Sequence, residues 1–424
     1  MTWRRQKGST VLSYGPLKYS VVKGFGRMSS GVEIVIAGAV RTPLGKFGGS
    51  LSSLSVPDLG AVAARQAIAR AGLTPSDIEE SIMGNARPAG VGPNPARQIA
   101  HRAGIPDAAP AYTVNMACGS SLRAILSACQ GIAAGDREVV LAGGAEAMSR
   151  VPFLLEGVRF GYKMGHQRVT DAMYRDGFLC PLCEQVMGET AETLAERYRI
   201  TRAEQDAFAA ESQRRCERAR KSGRFDDEIV PVTIEGRQGP IVISGDEHPR
   251  DGVTAESLST LPPVFKKDGT VHAGSSSGLV DGASAMVLLS AAAARRLGAR
   301  PLARVVAYAE AGVDPALMGI GPVPAVRALL SRTGLKIEDI DLIEINEAFA
   351  VQVLACQRDL GFDLARTNVN GGAIALGHPI GATGARITTT LIHEMRRRKA
   401  RRGLATLCIS GGLGIALLLG PAES

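Results

Sequence analysis

The amino-acid sequence predicts an α/β fold made of two related halves with a lobe inserted between them. Residues 33–39 form a buried apolar strand, and a helical stretch at residues 121–134 leads into another strand at residues 139–142. Strand, helix and strand in succession indicate a parallel sheet. A second helix-strand series begins near Ala303 and ends in the apolar residues 404–419. In both series a glycine-rich or polar turn separates a strand from a helix, which favours a duplicated architecture.

A change in amino-acid composition after residue 150 indicates the inserted lobe. Residues 189–220 are rich in charged residues and are predicted to be helical, and segments rich in Gly, Pro and Asp continue to about Thr270. Apolar residues become frequent again at residues 283–289. A change of this kind marks a boundary between structural units. We therefore predict an extension at residues 1–30, an N-terminal half at residues 31–147 and 279–298, an inserted loop domain at residues 148–278, and a C-terminal half at residues 299–424.

The charge of the chain argues against a nucleic-acid-binding protein. The formal net charge of the 424 residues is +8, but six Arg and Lys residues precede the first acidic residue, Glu33, so the remainder is nearly neutral. Apolar runs fall far short of the roughly 20 residues that a membrane helix needs. We predict a cytoplasmic enzyme without a membrane span. We interpret the extension as the result of a start codon upstream of the true start at Met28. The alternative is an organellar transit peptide, which would place the protein in the mitochondrial matrix.

Seven cysteines are scattered through the chain, an odd number that is unlike a disulfide framework and typical of a reducing compartment. Cys180 and Cys183 form the one close pair. Such a pair can bind zinc or take part in redox chemistry, but a zinc site needs four ligands and no second pair follows. We interpret this spacing as coincidence and predict that the protein has no metal site.

Cys118 lies between a strand-like segment at residues 112–114 and a helical segment at residues 122–126. A thiol at a helix N-terminus faces unpaired N–H groups and the positive end of the helix dipole, which lowers its pKa and favours a nucleophilic thiolate. The alternative is a small buried cysteine that packs between strand and helix. The segment by itself does not decide between the two.

Two glycine-rich loops near the C-terminus favour the catalytic interpretation. Residues 368–386 place five glycines and His378 in a turn-rich run before a helix, and residues 407–414 place Cys408 at the end of a strand, before three glycines. Glycines allow close backbone approach and unusual dihedral angles. Several such loops that carry Cys, His and Cys are more specific than one glycine-rich loop.

With these residues in place, the chain resembles the thiolase family from about Val32 to Leu419. The loops of His378 and Cys408 match, as do VNMACGSS (114–121), GGAEAMS (143–149), MGETAE (187–192), EQD (204–206), GRFDDEI (223–229), KDGT (267–270), DGA (281–283), MGIGP (318–322) and NEAF (346–349). The resemblance implies duplicated βαβαβαββ halves that form a five-layered α-β-α-β-α core with an inserted loop domain. It also implies thiolytic cleavage of 3-ketoacyl-CoA to acyl-CoA and acetyl-CoA, or the reverse Claisen condensation.

The same resemblance implies a role for each catalytic residue. His378 would take the proton of Cys118, which would carry the acyl group in a ping-pong mechanism, and Cys408 would exchange a proton with the acetyl-CoA carbanion. The enolate oxygen would be bound by His378 and a water held by Asn346. Backbone N–H groups at Cys118, Ser410 and Gly411 would form the oxyanion hole.

Coenzyme A is implied as co-substrate, with no other cofactor, and the inserted domain would bind it. The residues expected to contact it are Met187, Arg250, Ser257, Phe265, Ser277, Met318 and Phe349. The expected partners are acyl-CoA and coenzyme A, without nucleic acid, and the expected assembly is a homodimer or homotetramer.

The chain departs from common family patterns at a few positions. Ser410 stands where many members have glycine, and serine tolerates positive φ less easily. Asn346, rather than histidine, points to the stand-alone branch of the family. Val186 stands where short-chain biosynthetic members often have histidine, which leaves room for longer acyl chains. Residues 273–278 read Ala-Gly-Ser-Ser-Ser-Gly instead of Ala-Gly-Asn-Ala-Ser-Gly.

Three rival functions are considered. A ketoacyl-ACP synthase shares the fold but typically has histidine in the final loop, so Cys408 argues against it. A non-catalytic thioester-binding homologue would not need all of the catalytic residues. A cysteine protease has no role for two cysteines in this arrangement. The sequence leaves the acyl chain length, the physiological direction and the oligomeric state open.

Overall fold

The computed structural model describes residues 31–422, so the predicted extension at residues 1–30 lies outside the described residues. The strands are β1 (Ile34–Arg41), β2 (Gly45–Lys46), β3 (Glu80–Gly84), β4 (Ala111–Val114), β5 (Val139–Ala147), β6 (Phe153–Leu154), β7 (Thr170–Asp171), β8 (Leu179–Cys180), β9 (Gln185–Val186), β10 (Val232–Gly236), β11 (Gly239–Ile243), β12 (Val280–Ser290), β13 (Pro301–Gly312), β14 (Leu342–Ile345), β15 (Gly403–Ile409) and β16 (Leu413–Pro421). The α-helices are α1 (Val56–Ala71), α2 (Pro95–Arg102), α3 (Ser120–Ala134), α4 (Met187–Tyr198), α5 (Arg202–Lys221), α6 (Ala255–Ser259), α7 (Ala291–Leu297), α8 (Pro322–Thr333), α9 (Ala350–Leu360), α10 (Ala373–Leu376) and α11 (Thr383–Arg398).

The strand order shows two repeated sheets. In the first half the order is β4-β3-β5-β12-β1, and in the second it is β14-β15-β16-β13, with β1 and β13 paired antiparallel where the halves meet. β3 pairs in parallel with β4 and β5, and β14 pairs in parallel with β15 and, through a single bridge, with Thr367. The remaining neighbours are antiparallel in both halves. The expected α/β fold with two related halves is confirmed.

The prediction of a parallel sheet was correct only for part of each half. β15 and β16 are joined by a short turn, which can connect only antiparallel strands, whereas parallel neighbours need a long crossover. The chain from β5 to β12 passes through the inserted lobe and returns antiparallel. Each sheet is therefore mixed.

Alternate residues of each strand face different cores, as the pleat requires. On β5, Val139 and Leu141 pack in a core with α1 and α2, whereas Val140 and Ala142 pack in the central core with α3 and α11. A third core lies on the outer face of the second sheet, with α8 and α9. The order is therefore helix, sheet, helix, sheet and helix, in agreement with the five-layered expectation.

The stretch at residues 189–220, expected to be helical, contains two helices. Arg199 adopts a left-handed conformation with φ of 50° at the end of α4, and Thr201 begins α5 with a capping box to Glu204. In this box the threonine hydroxyl accepts from the Glu204 N–H, and the glutamate accepts from the Thr201 N–H. The Thr-x-x-Glu signal was present in the sequence and marks the new helix.

A buried ion cluster at the end of β1 fastens the inserted lobe to the first half. The Arg41 Nε donates to Glu228 Oε1 at 2.6 Å, and its two terminal nitrogens donate to Asp246 at 2.7 and 3.0 Å. Neither Arg41 nor Glu228 is exposed to solvent. Loss of one partner would leave buried charge uncompensated, which is strongly destabilising.

The two halves touch through their backbones next to the His378 loop. A Cβ added to Gly144 of β5 would lie 2.2 Å from the carbonyl oxygen of Gly381, and one added to Gly84 of β3 would lie 2.7 Å from the same oxygen. No side chain fits in either place, so glycine is required for this approach.

No helix within residues 31–422 is long and apolar enough to cross a membrane.

Candidate active site

A cavity of about 580 Å³ lies where the two halves and the inserted lobe meet. Its wall contains most of the predicted site, namely Cys118, His378, Cys408, Ser410, Met187, Phe265, Ser277, Met318 and Phe349. Residues separated by up to 292 positions in the chain, Cys118 and Ser410, are thus brought together in one space. The catalytic candidates come from both halves, and the apolar wall comes from the lobe and the second half.

A tight turn positions Cys118 between β4 and α3. Ala117 has a φ of 44°, which is unfavourable for a residue other than glycine. The turn is held by the Ser120 hydroxyl, which accepts from the Met116 N–H at 2.9 Å and donates to the Ala117 carbonyl at 2.6 Å. Asn115 Oδ1 accepts from the Ala117 N–H at 3.0 Å. The strained backbone directs the thiol into the cavity.

Burial raises the pKa of the Cys118 thiol above its usual value, although the charge of Arg87 and the N–H of Ser410 lower it. The expectation of a lowered pKa from the helix N-terminus was therefore wrong. Desolvation of the charged form outweighs the favourable groups around the sulfur. The resting thiol is neutral, and its attack on a substrate needs a base.

His378 is oriented as such a base. Its Nδ1 lies 2.6 Å from Thr383 Oγ1, and the Thr383 hydroxyl donates its own proton to the carbonyl of Pro379 at 3.0 Å. Since that hydroxyl can only accept from the ring, Nδ1 carries the hydrogen and Nε2 has the lone pair. Nε2 has no partner among the described residues. Burial, with the charges of Arg386 and Arg87, lowers the pKa of His378 to about 3, so the ring is neutral.

Cys408, at the end of β15, is a protonated thiol. It is buried, and burial together with the nearby Cys118 and Cys356 raises its pKa well above the usual value. A thiol that holds its proton in this way can act as a proton donor to a strong carbon base. Cys118 and Cys408 line the same cavity.

The oxyanion loop, residues 410–412, follows Cys408. The left-handed φ angles lie at Gly411 and Gly412, at 86° and 85°, and Ser410 is not among the residues with positive φ. The serine that replaces the usual glycine therefore sits where its side chain is tolerated. Its N–H also bonds to the Cys118 sulfur.

Asn346 is fully buried behind the cavity wall and does not line it. Its backbone N–H donates to the Thr406 carbonyl at 3.0 Å, whereas neither side-chain amide atom has a partner among residues 31–422. A buried amide without partners is costly unless a water or a ligand satisfies it. This is the environment that a water-holding asparagine would have.

Five of the seven predicted coenzyme A contacts line the cavity, and two do not. Arg250 is exposed, and its backbone N–H donates to Gln213. Ser257 is exposed in the first turn of α6, where its hydroxyl donates to the Thr254 carbonyl. Both belong to the surface of the lobe, so any contact with coenzyme A would involve the part of the molecule outside the cavity.

Three residues of the site were not identified from the sequence. Arg87 lines the cavity, Thr383 orients His378, and Glu146 is a buried carboxylate that accepts from the N–H groups of Ala86 and Gly381 at 3.0 and 2.7 Å. Glu146 thereby joins the first half to the His378 loop. Glu146 lies within the family-like segment 143–149 and Thr383 within the His378 loop, residues 368–386, which were the available signals; Arg87 had no such signal.

The Cys180–Cys183 pair lies beside the turn that follows Cys408. The interpretation of its spacing as a coincidence stays a prediction. The two cysteines lie in the hairpin of β8 and β9, and their side chains hydrogen-bond to each other. Burial raises the pKa of Cys180, but backbone N–H groups of Leu182, Cys183 and Gly411 outweigh it and lower the pKa overall. Gly411 therefore lies next to this hairpin, and a Cβ added to it would lie 3.8 Å from Leu182 Cδ1.

Comparisons with known proteins agree with this geometry. Residues 34–292 match the thiolase N-terminal domain, and residues 299–420 match the thiolase C-terminal domain. The chain is 52% identical over 386 residues to an acetyl-CoA acetyltransferase of Cupriavidus necator, covering 91% of this chain and 98% of the relative. It is 52% identical over 388 residues to an acetyl-CoA acetyltransferase of Pseudomonas aeruginosa, with coverage of 91% and 99%.

Solved structures show the same fold. The crystal structure of the Bacillus anthracis acetyl-CoA acetyltransferase superposes with a TM-score of 0.90 at 46% identity, covering 92% of this chain and 99% of that one. Human mitochondrial 3-ketoacyl-CoA thiolase superposes with a TM-score of 0.89 at 42% identity and the same coverage. The two domain matches together span nearly all of the described residues. The chain belongs to the thiolase family and is a coenzyme A-dependent acyltransferase.

Proposed function

We propose that this thiolase reaction proceeds through an S-acyl intermediate on Cys118, in the cleavage of 3-ketoacyl-CoA and in the reverse condensation. The observation that carries the assignment is the shared cavity of Cys118, His378 and Cys408, in which the ring Nε2 has a free lone pair. No other constellation in the described chain combines a base and two thiols in one cavity.

In the cleavage direction, His378 Nε2 takes the Cys118 proton as the sulfur attacks the 3-keto carbonyl. Because the thiol pKa is raised and the ring is neutral, the proton moves only when the nucleophile attacks. The N–H groups at Ser410 and Gly411 stabilise the tetrahedral oxyanion. The carbon–carbon bond then breaks, with the acyl group left on sulfur.

The departing acetyl-CoA leaves as an enolate, and Cys408 protonates its carbon. The raised pKa of Cys408 keeps the proton available for this step. The enolate oxygen is stabilised by His378 and by a water on the side-chain amide of Asn346. A second coenzyme A then takes the acyl group from Cys118, and the condensation direction reverses these steps.

Coenzyme A enters through the part of the cavity walled by Met187, Phe265, Met318 and Phe349. Phe265 and Phe349 meet edge to face at 6.1 Å, which makes a rigid apolar wall for the pantetheine arm. Coenzyme A is a co-substrate here, and the proposed steps use side chains, backbone N–H groups and one water.

The assembly and the location belong to the same proposal. We infer a homodimer or homotetramer in the cytoplasm. Large apolar side chains exposed in residues 153–169, among them Phe160 and Met164, support association. Light scattering of the purified protein tests this inference, and a monomer would contradict it.

The catalytic assignment is tested by following loss of acetoacetyl-CoA in the presence of coenzyme A. Cys118→Ser should abolish both thiolysis and acyl labelling of the enzyme by acetyl-CoA. Cys408→Ala should still be labelled but should lose thiolysis by about 100-fold or more. Cys129→Ala is the matched control, because that cysteine is buried on α3 and does not line the cavity.

Two results would contradict the proposal. Activity that persists in Cys118→Ser would remove the nucleophile assignment. Exclusive use of an acyl carrier protein, instead of coenzyme A, would favour the ketoacyl-ACP synthase alternative over a thiolase.

A further inference from the structure

Arg87 is a buried cation in the wall of the reaction cavity. It follows β3, is 5% exposed, and lines the same space as Cys118. Among the described residues its guanidinium makes one hydrogen bond, from Nη1 to the carbonyl of Ala86 at 3.0 Å, and its Nε has no partner there. Within residues 31–422 it has no ion pair.

The nearest carboxylates are engaged with other donors. Glu146 accepts from the Asn85 side chain and the Arg87 backbone N–H on one oxygen, and from two further backbone N–H groups on the other. Both oxygens of Asp176 accept from Arg175. The Arg87 guanidinium is thus near negative charge but is not bonded to it. Burial of a cation with one neutral acceptor is costly unless a partner arrives from elsewhere.

The surroundings leave the guanidinium open to an acyl group. Gly177 packs against it, and a Cβ at that position would lie 2.6 Å from the Arg87 Nε. The cavity wall that Arg87 and Cys118 share also includes the apolar side chains of Met148, Phe178 and Ile380. An acyl chain attached to the Cys118 sulfur would therefore occupy a space that offers both an apolar wall and this cation.

We propose that Arg87 binds a carboxylate at the far end of the acyl group, so that the preferred substrates are short 3-ketoacyl-CoAs whose chain ends in a carboxylate. This inference rests on the thiolase mechanism proposed above and narrows its substrate class. A guanidinium donates parallel N–H groups that match the two oxygens of a carboxylate. The substrate supplies the acceptor that the protein does not.

The test compares two substrates of equal length, 3-oxoadipyl-CoA with a terminal carboxylate and 3-oxohexanoyl-CoA with a terminal methyl group. The wild type should show a higher kcat/KM for the carboxylated substrate, by about 10- to 100-fold, as expected for a hydrogen bond to a charged group. Arg87→Met should remove that ratio. Arg87→Lys should keep part of it, and Arg65→Met, an exposed arginine on α1, should keep all of it.

Two outcomes would overturn the assignment. The wild type could show no preference for the carboxylate, or Arg87→Met could keep the wild-type ratio. If Arg87→Met kept that ratio while lowering kcat/KM equally for both substrates, Arg87 would serve the Cys118 sulfur instead. Absence of thiolysis with acetoacetyl-CoA and with both test substrates would instead refute the proposed mechanism, so the two failures are distinguishable.

Discussion

Replacement of Thr383 by valine isolates the contribution of the His378 tautomer. Among residues 31–422 the threonine hydroxyl is the only partner of the ring Nδ1–H, at 2.6 Å, and the ring is buried. Valine has the same shape without the hydroxyl, so the ring must either leave a buried donor unsatisfied or move the hydrogen to Nε2. The second choice removes the lone pair that accepts the Cys118 proton.

The size of the effect follows from the cost of an unsatisfied buried donor, about 1–3 kcal/mol. If that cost appears in the transition state, kcat falls by about 5- to 150-fold. Steady-state thiolysis of acetoacetyl-CoA measures it, and thermal unfolding checks that the variant is folded. Thr383→Ser, which restores the hydroxyl, should recover most of the rate.

Thr388→Val provides the matched control. Thr388 lies on the same helix, α11, and its hydroxyl donates to the Gly384 carbonyl at 2.7 Å, as Thr383 does to Pro379, but it does not contact His378. If both valine variants lost activity to the same degree, the effect of Thr383→Val would come from its place in α11 and not from its contact with His378. An unchanged rate in Thr383→Val would refute the tautomer argument outright.

Three further predictions concern stability and pH. Gly144→Ala should lower the free energy of unfolding by about 1–3 kcal/mol and reduce activity, because its Cβ would lie 2.2 Å from the Gly381 oxygen. Gly131→Ala, in α3 with open space around it, should raise the free energy of unfolding by about 0.5–1 kcal/mol. Urea unfolding that ranks the two variants in the opposite order would contradict this packing. The pKa of His378 is about 3 in the folded protein, below its unfolded value near 6.5, so the unfolded chain binds the extra proton and stability falls as the pH drops below about 6.5, by up to about 1.4 kcal/mol per pH unit. His378→Asn lacks this contribution, and its unfolding midpoint in urea should fall less than that of the wild type between about pH 7 and about pH 5; equal decreases would show that the ring does not titrate in this way. Arg41→Leu leaves its two buried carboxylates unpaired and should cost about 3–5 kcal/mol, so an unchanged denaturation midpoint would contradict the ion cluster.

The sequence was informative wherever chemistry and backbone geometry coincide in a short segment. Cys118, His378 and Cys408 each lie in a glycine-rich or polar turn between a strand and a helix or another strand, so their segments could be recognised individually. Their meeting in one cavity required the fold, which the periodicity and the order of segments predicted in outline. The capping box at Thr201 was also readable, although the helix break that it marks was not identified.

Other features depend on surroundings that come from distant parts of the chain. The pKa of Cys118 was predicted from the helix terminus alone, but the burial that dominates it is produced by both halves and the lobe. Arg87 is one of many arginines, and nothing adjacent to it in the sequence indicates that it is buried without a carboxylate. Arg250 and Ser257 were placed by resemblance, and their exposure could not be read from their own segments.

The backbone contact between β3, β5 and the His378 loop has a consequence for how this fold can diverge. The spacing between the nucleophile of one half and the base of the other is set by main-chain atoms at Gly84, Gly144 and Gly381, not by the size of any side chain. The cavity wall can therefore exchange large residues for small ones, or an apolar residue for a cation such as Arg87, without moving the reacting groups apart. Substitutions in the cavity wall can therefore change which acyl groups are accepted without changing the spacing of the reacting groups.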